Sequence, residues 1–91
     1  MTIRRQRIAT ALAIVAAQVQ RHPKPANDDA AMLVGELVAR CGGSPTTAAI
    51  EIAQVAASTL VTVAGKAGVP RAALTEALRA QIATFESATP D

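Results

Sequence analysis

Side chains able to do chemistry are few in these 91 residues, and they do not converge on a reaction. His22 is the only histidine. It sits beside Pro23 where a helix ends, a place where a positive charge suits the helix dipole, so a surface capping role fits it better than general base. Cys41 is the only cysteine, with Arg40 as its basic neighbour and Gly42 and Gly43 behind it. Glycines after a helix read as a stop, so a buried, inert thiol is expected. The acids are scattered. Asp28 and Asp29 stand at a helix start, Glu51, Glu76 and Glu86 fall on exposed stripes, and no spacing matches a metal site. Gly42 and Gly43 lead into Ser44 and Pro45, not into the lysine and hydroxyl of a phosphate loop. Neither enzyme nor cofactor site is expected.

What must position these residues is helical. Turn signals divide the chain into four segments, expected at about 3–21, 28–41, 45–64 and 70–85, with fraying over 87–91. Thr2 can cap the first, whose Ile8, Leu12, Val15 and Val19 recur at steps of four, three and four. It stops before His22, Pro23, Lys24 and Pro25. Asn27 can cap the second, in which Leu33, Leu37 and Cys41 share a stripe with Ala30 and Val34 beside it, and Gly35 marks either a close helix crossing or a tolerated defect. The third has the clearest start, with Ser44 as cap and Pro45 in the first turn. Its polar residues Thr47, Glu51, Gln54, Ser58 and Thr62 make one narrow stripe. Ala49, Ile52, Ala53, Ala56, Leu60 and Val63 lie opposite, so most of its circumference is apolar. The fourth carries Leu74, Leu78, Ile82 and Phe85 on one side.

Short linkers make successive helices antiparallel neighbours, so the expected fold is all-α, a small four-helix up-down bundle in one domain, 1–91. Folding such a chain buries about 8,500 Å², worth roughly 130 kcal/mol against about 135 kcal/mol of ordering entropy, which leaves an isolated monomer no margin. A lone cysteine cannot close an internal disulfide, and there is no Trp or Tyr. A homodimer is therefore expected to complete the bundle, with Ile50, Ala57 and Val61 on the flank of the third helix in the contact.

Charge is unevenly spread. Residues 1–24 hold Arg4, Arg5, Arg7, Arg21 and Lys24 with no acid, whereas 25–91 hold four bases against seven acids. Cations at a helix N-terminus oppose its dipole, so Arg4, Arg5 and Arg7 are candidates for binding an acidic partner. The same arginines precede an apolar run from Ile8 to Ala17 and give it the look of a secretory signal. Thr10 interrupts that run, and Gln18, Gln20, Arg21 and His22 follow it, so it is expected to remain part of the fold. At this length the run is too short to span a bilayer, and no membrane span is expected. One free cysteine suits a reducing, cytoplasmic compartment.

From about Leu60 to Arg79 the chain resembles the helix-turn-helix of bacterial repressors, carried by Ala64, Gly68, Val69 and Leu74. The resemblance implies a recognition helix over residues 70–80, with Arg71, Thr75 and Arg79 facing a DNA groove. The departure is a first helix that is too long, with Gly65 inside it, and Glu76 stands among the implied readers. The leading expectation is a non-enzymatic regulator, adaptor or inhibitor acting by protein–protein binding. DNA binding is the alternative, and a structural subunit of a larger assembly the third.

Overall fold

A computed structural model of the chain describes residues 2–87, of which 81% are helical, with four helices and no strand among them. The helices are α1 (Ile3–Arg21), α2 (Asp28–Arg40), α3 (Pro45–Lys66) and α4 (Arg71–Glu86). The expected all-α architecture is the observed one. Of the fraying expected over 87–91, residues 88–91 lie outside the described residues.

Local chemistry sets the ends. Thr2 accepts the Arg5 N–H at 3.2 Å, Asn27 Oδ1 accepts that of Ala30 at 3.1 Å, and Ser44 Oγ accepts that of Thr47 at 3.1 Å. Each side chain thereby satisfies one of the donors a helix start leaves free. Two stops are built alike. After α2 the Gly43 N–H donates to the Val38 carbonyl and that of Gly42 to Ala39, with Gly42 at φ +69°. After α3 the Val69 N–H donates to Ala64 at 2.8 Å and that of Gly68 to Gly65, with Gly68 at φ +79°. This double bond pattern needs a left-handed residue, which only glycine adopts without steric cost. It carries α3 two residues beyond its expected end.

By its backbone the chain forms two compact units, Met1–Ala57 and Ser58–Asp91. The boundary falls within α3, which continues through it unbroken.

The first unit holds the core: Ala11 and Ile14 from α1, Leu37 from α2 with Cys41 just after it, and Ala48 and Val55 from α3. Ile8, Val15, Leu33, Val38 and Ile52 pack around them. Leu37 is the one large side chain that is completely enclosed. Thr10, also buried, returns its hydroxyl to the Gln6 carbonyl at 2.9 Å. The inward faces of α1 and α3 match the expected stripes only in part, at Ile8, Val15 and Ile52. Leu12 and Val19 are exposed while Ala11 and Ile14 are buried, and Ala49 and Ala53 are exposed while Ala48 and Val55 are buried. Both helices are turned by roughly a quarter-turn from the stripe of their largest residues. Alanine at the contact lets helix backbones come close, and small residues stand among the buried ones here. Gly35 has nothing within 4 Å of where a side chain would begin, so no helix crosses against it.

The second unit contains the end of α3 and all of α4. None of its described residues is buried.

Candidate functional site

Arg4 and Arg5 project into solvent from the first turn of α1, a turn that contains no acid. Arg7 is placed differently. It is half-buried, and its Nε donates at 2.8 Å to the Arg40 carbonyl, one of the oxygens left free at the end of α2. That bond ties α1 to the negative end of α2 and explains one of the three arginines from inside the molecule. Among the described residues Arg4 and Arg5 of the expected partner-binding set make no ion pair, while Arg7 has an intramolecular acceptor.

Cys41 is a free, buried thiol at the α2 stop. His22 follows α1, with its backbone N–H donating to the Gln18 carbonyl at 2.9 Å. Among the described residues no three His, Cys, Asp or Glu side chains come together. The Glu36–Arg40 ion pair at 2.9 Å links successive turns of α2 in solvent, a geometry worth only a few tenths of a kcal/mol.

Among the described residues each unit carries a concave surface. In the first, Ile14, Val15, Gln18, Val19, His22 and Ile52 line an open groove of about 420 Å³. Gln18 Oε1 is buried there with no hydrogen-bond partner, a feature the sequence did not signal. In the second, Leu78, Gln81, Ile82, Phe85 and Glu86 border a shallow depression of about 530 Å³ on α4. Its apolar members are well exposed, Leu78 at 43%, Ile82 at 55% and Phe85 at 78%. Their spacing places them on one side of α4, together with Leu74. Their pattern was legible, but what covers them was not.

The expected self-association residues lie along α3 at steps of seven and four. Ile50 is 52% exposed, Ala57 is exposed and Val61 is half-buried. Leu60 and Val63 add further exposed apolar surface on the same helix. By length and composition α3 would suffice to cross a bilayer, its mean hydropathy reaching 1.5. Core helices and signal sequences meet the same criterion; here 11% of the apolar stretch is buried, and Ala48 and Val55 are the buried residues of α3.

Arg71, Thr75 and Arg79, the implied DNA readers, are all exposed on α4. The Gly68 and Val69 that carried the repressor resemblance are the two residues closing α3, with Gly68 left-handed and Val69 bonded back to Ala64. Helix termination accounts for both residue types. No protein family, curated protein or solved structure matches this chain.

Proposed function

We propose that this chain is a non-enzymatic protein-binding module, a small helical regulator, adaptor or inhibitor, which acts through the second unit. The supporting observation is α4: sixteen residues, none buried, with Leu78, Ile82 and Phe85 exposed along one side. Contiguous exposed apolar surface of that kind marks interaction sites, and an amphipathic helix offers its anchors at helical spacing. Aromatic anchors are prominent in such contacts, and Phe85 is the chain's only aromatic residue. Among the described residues no three His, Cys, Asp or Glu side chains converge, which fits a binding role better than a catalytic one.

Affinity capture from the cells that make the protein tests this, with nucleic acid recovered alongside protein. The tagged chain should retain protein, further copies of itself included, and the Ile82→Glu/Phe85→Glu variant should release it. Recovery of nucleic acid alone, or retention unchanged in the variant, would contradict the proposal.

DNA binding through Arg71, Thr75 and Arg79 is the second reading, favoured by their joint exposure on α4 after the left-handed Gly68. On that reading, replacing Arg71 and Arg79 with Ala abolishes duplex binding and its salt dependence. Failure of the unmodified chain to bind random duplex in low salt disposes of it.

A further inference from the structure

The second unit has no interior. Of its described residues only Val61, Ala64 and Leu74 are even half-buried, while Leu60, Val63, Val69, Leu78, Ile82 and Phe85 are each at least 40% exposed. Segments of about this size rarely hold a fold without added burial. The unit has no disulfide to provide it, since Cys41 lies in the first unit and is free. Something must cover this surface. We propose that it is the same unit of a second copy of this chain, with α4 packed antiparallel on α4 of the other copy about a two-fold axis at Leu78. The inference rests on reading the second unit as a protein-binding surface, and it names the occupant.

Breadth supports a macromolecular occupant. Leu78, Ile82 and Phe85 run over two turns of α4 and are all well exposed, more than a small ligand in the depression would cover.

Charge supports self-pairing in one particular register. In a two-fold antiparallel contact centred on Leu78, that residue meets its own counterpart, and Leu74 meets Ile82 of the other copy. The same register sets Arg71 across from Phe85 and next to Glu86 of the other copy. Arg71 lies two turns before Leu78 and shares its face, while Glu86 lies just over two turns after it on the flank. Each guanidinium thus meets an aromatic ring and a carboxylate at both ends of the contact. Parallel pairing would put Arg71 against Arg71 and Glu86 against Glu86. The sequence of α4 is complementary to itself only when reversed, a property that an unrelated partner would not require.

The test is sedimentation equilibrium of the full chain over a wide concentration range, applied to the parent, Arg71→Glu, Glu86→Arg and the double variant Arg71→Glu/Glu86→Arg. The parent should sediment at twice 9.3 kDa. Each single variant should dissociate at about tenfold higher concentration, because reversal turns two attractions into two repulsions. The double variant, with both charges exchanged, should recover most of the loss. Far-UV circular dichroism should show that the first unit stays helical throughout. A dimer indifferent to all three variants would overturn the proposal, since the contact would lie elsewhere. So would a monomer at high micromolar concentration. In that monomer, α4 amides that exchange as freely as those of an unstructured peptide would remove the second copy and leave the protein-binding reading standing. Protected α4 amides would remove both.

Discussion

Leu37→Ala is the sharpest test of the core. Leu37 has no exposed surface and lies in a core with Ala11, Ile14, Cys41, Ala48 and Val55, around which Ile8, Val15, Leu33, Val38 and Ile52 pack. Truncation leaves a cavity to the extent that these helix-borne side chains cannot collapse into it. Loss of a buried leucine costs about 2–5 kcal/mol, and limited relaxation here puts the expected value near 3 kcal/mol. For a domain of this size each kcal/mol moves the melting temperature by about 4–8 °C, so a fall of at least about 12 °C is expected. Thermal and urea unfolding followed at 222 nm would measure it, with the urea slope showing whether the unfolded state has changed. A loss below about 1 kcal/mol at unchanged slope would refute the reasoning, because Leu37 could not then be the centre of the only described core. The exposed Met32→Ala on the same helix is the matched control and should cost little.

Glycine substitutions should divide by backbone conformation. Gly35→Ala should stabilise by up to about 1 kcal/mol in chemical denaturation, since Gly35 is helical with open space beside it. Gly68→Ala should destabilise by about 1–2 kcal/mol, since φ is +79° there. If both changes had the same sign, the account of how α3 ends would be wrong. Arg7→Met keeps an apolar stem but deletes the bond to the Arg40 carbonyl, and should cost about 1 kcal/mol in urea unfolding. Arg4→Met should cost nothing measurable by the same assay.

Helix limits were legible in the sequence because they are set by chemistry within a few residues of each end. Asn27 with its two aspartates, Ser44 with Pro45, and the left-handed Gly42 and Gly68 fix their boundaries without help from the rest of the molecule. Which face turns inward was legible only in part in α1 and α3. In an alanine-rich helix the difference in hydropathy between faces is small, and reading the largest side chains as the core stripe selects Leu12 and Val19, both exposed. The buried residues of these two helices include the small Ala11 and Ala48 beside Ile14 and Val55, so size alone does not mark the inward face. Arg7 has an intramolecular bond that the sequence did not signal. Its acceptor is a backbone carbonyl at residue 40, and a carbonyl leaves no trace in side-chain spacing. In α4 the spacing sets Leu74, Leu78, Ile82 and Phe85 on one side, but a stripe of that kind does not say what covers it.

The central claim is that the second unit gains its stability from contact with another chain. Amide hydrogen exchange of the unmodified protein, resolved by residue and repeated across a hundredfold dilution, addresses it most directly. Amides of α1, α2 and the first half of α3 should be protected to the same degree at every concentration, since their core lies within one chain. Protection over residues 71–86 should fall as the protein is diluted, tracking dissociation. Strong protection of α4 that is independent of concentration would contradict the account.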